Sequence, residues 1–184
     1  KKMGWKGSDT RSVYFDEMEI PSNHILGQPD KGFKQFLKTL TGGRISIAAL
    51  GLGICEAGYQ ASLKYATERD AFGRKISDFQ SIGFKLSDMA MQIEAAKHLV
   101  YNAAYLKDHG ESIIKEAAMA KLFTSELAMN ITTEAIQIHG GYGYIREYNV
   151  ERFFRDAKIL EIGEGTSEVQ RIIISREILK SLSY

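Results

Sequence analysis

Proline is almost absent from this chain. Only Pro21 and Pro29 occur, and none follows Pro29. The commonest interruption of a helix is therefore missing from the remainder, which suits long uninterrupted helices. Cysteine is nearly absent too. The single Cys55 excludes an internal disulfide and a cysteine-type metal cluster, makes a reducing compartment the default, and reads as a small buried hydrophobe. No charge of one sign dominates: 24 basic and 23 acidic residues give a formal charge of +1. That balance lacks the electrostatic footprint of nucleic-acid or anionic-lipid binding, and neither partner is expected. No apolar run approaches the ~18 to 20 residues of a membrane span, and "KKMGWKGSDT" has no apolar core of a signal peptide, so a soluble protein without a membrane span is expected. No second histidine lies at ligand spacing from His139, and no metal is expected.

What is present changes character near residue 30. In "RSVYFDEMEIP", Val13, Phe15, Met18 and Ile20 alternate with polar residues, with a slip at Glu17, which predicts a strand or hairpin arm. So short a stretch cannot make a sheet with its own core. Residues 1–28 therefore read as the tail of a β domain attached to a helical unit over 29–184.

The helical unit shows its period directly. Phe33, Phe36, Leu37 and Leu40 keep the i, i+3, i+4, i+7 rule, and the pattern continues past Gly42 and Gly43 through Ile47, Leu50, Ile54 and Leu63. Ile82, Leu86, Met89, Ile93, Ala96, Val100 and Ala103 form an unbroken seam of alternating fours and threes. A third segment carries Ile113, Ala117, Ala120, Thr124, Leu127 and Ile131, with a second row at Ile114, Ala118 and Leu122 that predicts cover on two sides. A fourth helix is expected from near Ser167, with Val169, Ile172, Ile173 and Leu179 as its apolar residues. Breaks fall at "RDAFGRK", "DHGES" and "HGGYGYIREYN". The expected class is all-α, an up-down four-helix bundle with a short β remnant before it.

Four stretches hold candidate chemistry, each beside a plainer alternative. In "GEGTSEVQR", Glu164 stands between Gly163 and Gly165, whose freedom lets a ligand come close. The alternative is a helix start, with Ser167 as N-cap, Gln170 completing a capping box, and Glu164 and Glu168 favoured by the helix dipole. In "ERDAFGRKISDFQ", Arg69, Arg74 and Gln80 suit a pyrophosphate and a nucleotide edge, or form a solvated loop. In "QIHGGYGYIREY", Gly140, Gly141 and Gly143 free the backbone and Tyr142 and Tyr144 supply flat walls, or the glycines merely cap a helix. Arg44, inside the apolar "TGGRISIAALG", must ion-pair, snorkel or bind an anion.

These stretches occur together, in the order they have along this chain, in one family. Through "GGRISIAALGLGICEAGYQASLKYATERDAFGRKISDFQ", "QIHGGYGYIREYNVERFFRDAKI" and "GEGTSEVQR", the chain resembles the C-terminal part of an acyl-CoA dehydrogenase. "GWKGSDTRSVYFDEMEIPSNHILG" is similar to the end of that family's middle β domain. The resemblance implies an FAD-dependent oxidoreductase of fatty-acid β-oxidation. Glu164 matches the base that removes the α-proton of an acyl-CoA thioester while a β-hydride passes to the flavin, giving a trans-2-enoyl-CoA. Such a proton is too weakly acidic for a carboxylate in water, so the base needs a dry site and donors for the enolate-like oxygen. By the same match Arg69, Phe72, Gln80, Gln137, Ile138, His139, Gly140, Gly141, Thr166, Ser167 and Glu168 are expected to contact FAD, with Arg69, Phe72 and Gln80 reaching a neighbouring subunit's cofactor.

Thr41, Gly42, Gly43, Arg44 and Gly165 are expected to contact substrate, Thr41 standing where the family commonly has aspartate. Some relatives carry the base at the position of Gly43, which here cannot serve, and Glu161 reads as an exposed loop carboxylate. A homo-oligomer, dimer or tetramer, is implied, with an electron-transfer flavoprotein as acceptor. The compartment implied is the cytoplasm of a bacterium or the mitochondrial matrix of a eukaryote. The competing expectation is a non-catalytic helical assembly domain. On either view the 184 residues alone are expected to be helical, to lack stoichiometric flavin and to be inactive.

Overall fold

A computed structural model describes residues 1–180 and 182. Five helices follow in order: α1, Gly32–Glu68; α2, Gln80–Asp108; α3, Ile114–His139; α4, Val150–Ala157; and α5, Ser167–Lys180. The helical class is as expected, with α1, α2, α3 and α5 as the four long members. The seams are where the spacing places them: Met89, Ile93, Ala96, Val100 and Ala103 of α2 are buried, as are Ala117, Ala120, Thr124, Leu127 and Ile131 of α3. Of the second row on α3, Ala118 is buried while Ile114 is exposed.

Helix α3 lies at the centre, packed by all four others. Its closest neighbour is α1, because the facing residues are small. A Cβ added at Gly51 would lie 3.1 Å from the Thr124 side chain, and one at Gly58 would lie 3.1 Å from Ile131 Cγ2. Those two glycines are where the helices approach one another. Cys55 sits between them in the core, where burial pushes its thiol up to about 12. One window of α1 is long and apolar enough to cross a membrane by composition, contrary to the sequence expectation. Its place in the bundle accounts for that composition: Ile45, Ala48, Leu52, Cys55 and Ala66 all lie in the core.

Three features depart from the sequence expectation or go beyond it. Within residues 1–28 there is no strand; Val13, Phe15, Met18 and Ile20 are exposed, and the ordered feature is a single 3-10 turn at Ser22–His24. A strand needs a neighbour for its backbone groups, and no described residue supplies one there. The tail is tethered instead by the Trp5 N–H, which donates to Asp156 Oδ1 at 2.7 Å, and by Arg155 Nη1, which donates to the Met3 carbonyl at 2.9 Å. Second, the break after α1 is a small antiparallel hairpin, β1 (Asp70–Ala71) and β2 (Arg74–Lys75), turned by Phe72 and Gly73 with φ of 54° and 80°. Two successive positive φ values match the right-handed twist of tight hairpins. Third, Val169, Ile172 and Leu179 of α5 face outward, and its buried residues are Ser167 and Gln170.

Candidate functional site at the Glu164 loop

The loop between α4 and α5 holds two consecutive left-handed residues, Glu164 at φ 56° and Gly165 at φ 89°. Glycine takes that conformation freely; a glutamate does so only when its surroundings hold it there. The holding groups are donors from two helices. Lys121 Nζ, on α3, donates to the Gly165 carbonyl at 2.7 Å. Gln170 Nε2, on α5, donates to the same carbonyl at 2.9 Å and to the Glu164 carbonyl at 3.2 Å. The expected capping box is therefore absent. Thr166, not Ser167, caps α5, its Oγ1 accepting from the Val169 N–H at 3.4 Å, and Gln170 turns to the loop instead.

The Glu164 carboxylate lies against α1. A Cβ built on Gly43 would be 3.1 Å from Glu164 Oε2, with no other side chain or loop within 4 Å. Glycine at 43 thus makes room for the very carboxylate that would otherwise be crowded. Next to it, Arg44 is only 7% exposed, and no carboxylate comes within ion-pair distance of it among the described residues. Its Nε is buried without a partner. Burial holds the Arg44 pKa below its ordinary value, partly offset by the nearby Glu164 charge. Of the alternatives left open for Arg44, the structural ion pair is excluded, which leaves a cation beside Glu164 with a free donor. The Glu164 backbone N–H also has no acceptor among the described residues. Glu164 itself is exposed, so the dry environment expected for a base is not supplied by these residues. Glu161, expected to be exposed, is instead half-buried and ion-paired with Lys158.

Thr41 and Gly42 open onto a groove of about 1070 Å³ between the start of α1 and the α2–α3 connection. Lys31, Lys34, Lys38 and Lys107 line it. Sequence reading missed this basic wall, although Lys31, Lys34 and Lys38 keep helical spacing and so share one face. Lys121 was missed as well; an isolated lysine in an alanine-rich helix carries no signal that its end is buried.

The residues expected at a cofactor do not gather in one place. Thr166, Ser167 and Glu168 lie at the Glu164 loop. Arg69, Ile138, His139, Gly140 and Gly141 line a concavity of about 470 Å³ with Tyr65 and Tyr142. Arg69 lies just beyond the other end of α1, 25 residues past Arg44, or about 37 Å at the helical rise. Gln137, beside this concavity on the last turn of α3, and Gln80, at the start of α2, are exposed; Phe72 is 95% exposed at the hairpin tip. The concavity fits a flat anionic ligand. The Arg69 guanidinium sits over the Tyr142 ring at 5.2 Å, and open space surrounds the Cβ positions of Gly140 and Gly141. His139 stacks on Tyr65 with centroids 4.2 Å apart and donates from Nδ1 to the Ala135 carbonyl at 2.7 Å, leaving Nε2 as acceptor. Burial lowers its pKa, the hydrogen bond to Ala135 offsetting part of the effect. Among the described residues, no three His, Cys, Asp or Glu side chains converge on a metal position.

An all-α bundle with an unpaired buried arginine, a loop carboxylate over a helical glycine and a basic groove defines a helical domain with a candidate site for an anionic ligand. Residues 30–179 match the model of the acyl-CoA dehydrogenase C-terminal domain, and the chain belongs to that family. It is 58% identical over 179 residues to a Bacillus subtilis protein described as "Probable acyl-CoA dehydrogenase YngJ", covering 97% of this chain and 47% of that one. To the "Caffeyl-CoA reductase-Etf complex subunit CarC" of Acetobacterium woodii it is 46% identical, with the same coverages of 97% and 47%. The structure of butyryl-CoA dehydrogenase from Megasphaera elsdenii superposes with a TM-score of 0.96 at 49% identity, over 97% of this chain and 47% of that one. The chain spans about half the length of the curated relatives it matches.

Proposed function

We propose that this chain is the C-terminal part of an FAD-dependent acyl-CoA dehydrogenase in which Glu164 removes the α-proton of the thioester to give a trans-2-enoyl-CoA. The observation that carries this reading is the Glu164 carboxylate lying over Gly43, beside the unpaired buried Arg44 and next to a lysine-lined groove. Each part has work in that reaction. The groove lysines and Thr41 suit the phosphates and amides of a CoA moiety. The Glu164 N–H can donate to the thioester oxygen, on which charge develops as the α-proton leaves. Glu164 Oε2 accepts that proton.

Bound FAD supplies the acceptor for the β-hydride. Arg69, His139, Gly140, Gly141 and Tyr142 are suited to hold the phosphate-bearing part of one such cofactor, and Thr166, Ser167 and Glu168 to border another. Two separate clusters, one at the end of α1 and one at the Glu164 loop, favour a homo-oligomer, dimer or tetramer, whose sites are shared between subunits. Residues 1–28 then belong to a preceding β domain, whose partner strands would give their backbone groups acceptors. An electron-transfer flavoprotein is the proposed acceptor, in keeping with the Acetobacterium relative, a subunit of a reductase-Etf complex.

The test is Glu164→Gln in the intact protein. It should fold and retain FAD while α-proton removal slows by about 10²- to 10⁴-fold, the usual weight of a positioned base. Turnover near that of the parent would move the base elsewhere, with Glu161 the next carboxylate to examine.

A further inference from the structure

Three buried side-chain polar atoms lack a hydrogen-bond partner among the described residues: Arg44 Nε, Ser167 Oγ and Gln170 Oε1. All three belong to residues at or beside the Glu164 loop. Lys121 lies in the same place, and it is the largest of the wholly buried side chains, at 0% exposed. Burying an ammonium is costly, and among the described residues no carboxylate at ion-pair distance compensates; its one acceptor there is the Gly165 carbonyl. An apolar residue of similar volume would serve packing better. A cost of this kind, concentrated around one loop, points to a role for the group other than holding the bundle together.

We propose that Lys121 and Gln170 are positioning residues that together clamp the carbonyls of Glu164 and Gly165 and so set where the Glu164 carboxylate lies. The geometry gives the clamp two jaws on separate helices. Lys121 reaches the Gly165 carbonyl from α3, and Gln170 reaches that carbonyl and its predecessor from α5. Fixing two successive carbonyls fixes the peptide plane between them, and with it the left-handed turn that sends the Glu164 side chain over Gly43. Gly165 admits the clamp because a Cβ there would lie 2.9 Å from Gln170 Nε2. Lys121 also brings charge. It faces Arg44 of α1, Glu161 of the preceding turn, Glu164 of the loop and Glu168 of α5, so removing it leaves those carboxylates with one cation fewer.

The proposal rests on Glu164 being the base, and the experiment separates the two ideas. Lys121→Met, Gln170→Leu and the double variant are made in the intact flavoprotein beside Glu164→Gln. FAD content, KM for a short acyl-CoA, kcat and the pH profile of kcat/KM are then measured. With the clamp correct, each single variant keeps its flavin and a KM within about threefold, while kcat falls about 10- to 100-fold, as a displacement of up to 1 Å near the reacting atoms produces. The double variant falls by less than the product of the singles, because both donors act on one carbonyl. The acid limb of the Lys121→Met profile moves to higher pH, whereas that of Gln170→Leu, which removes no charge, stays in place. Parent-like kcat in both single variants, with Glu164→Gln inactive, would overturn the clamp alone. So would flavin loss with KM and kcat worsening together in both, since that marks a structural role. Should Lys121→Met fail to fold, the kcat and KM of Gln170→Leu decide the matter. Retained turnover in Glu164→Gln would overturn the base assignment and the clamp with it.

Discussion

Replacing Gly43 with alanine should strengthen a helix and slow the enzyme at once. Gly43 lies within the 37-residue α1, where alanine is favoured over glycine by about 1 kcal/mol. The added methyl meets nothing but the Glu164 carboxylate, with Oε2 at 3.1 Å and Cδ at 3.6 Å. That group is the far end of a flexible, exposed side chain, so it yields at little cost to the fold. To regain ordinary contact it must retreat by a few tenths of an ångström. A full 1 Å error beside the reacting atoms costs about 10²-fold, so roughly a third to a half of that displacement should lower kcat by about 3- to 10-fold. The urea midpoint followed by circular dichroism should hold or rise, and FAD content should be unchanged. Steady-state turnover on a saturating acyl-CoA gives kcat directly. A parent-like kcat in Gly43→Ala would refute the reasoning, because it would mean that the position of the carboxylate over α1 has no bearing on the reaction. Lower stability with lower kcat would refute it differently, by showing that Gly43 is needed for packing.

Two further outcomes follow from the other end of α1. Arg69→Ala removes the cation over Tyr142 and should lower the FAD retained per subunit after gel filtration of the assembled protein; a full flavin complement in that variant would count against a shared site. His139 is held below its ordinary value of 6.5 by burial, so the unfolded chain binds the extra proton first, and the stability this histidine contributes is present above pH 6.5 and lost as the pH falls through its folded-state value. The melting temperature of the chain should therefore drop on going from pH 7.5 to 5.5, and His139→Phe should flatten that drop. An equally steep fall in the variant would place its origin in other groups.

The helical class and the helix seams were written in the sequence, because burial repeats at the helical period and nothing after Pro29 interrupts it. Local chemistry also marked the Glu164 loop, since glycines on both sides of a carboxylate before a helix start are visible without coordinates. What periodicity left open was direction. The apolar row of α5 is real, yet Val169 and Ile172 face out while Gln170 is buried, because a period says that a face exists and not what lies opposite it. The tail before residue 30 shows the same limit: alternation at Val13 and Phe15 makes a strand only when a neighbour pairs with it. The hairpin at Asp70–Lys75 depends on Phe72 in a left-handed conformation, which its residue type disfavours.

By itself, then, the sequence determined an all-α bundle, its family membership through four motifs in order, and the identity of Glu164 as the residue to examine. Only the tertiary structure placed that carboxylate over Gly43, more than a hundred residues earlier in the chain, and put the buried ends of Lys121 and Gln170 on its backbone. It also separated residues that the motifs had grouped, leaving Arg69 just past the end of α1 and Thr166 at the Glu164 loop, which meets α1 at Gly43. The reason is physical: spacing within one helix fixes which face a side chain occupies, whereas a contact between helices depends on crossing geometry and on small residues such as Gly51 and Gly58, which let α1 and α3 approach closely enough to bring distant positions together.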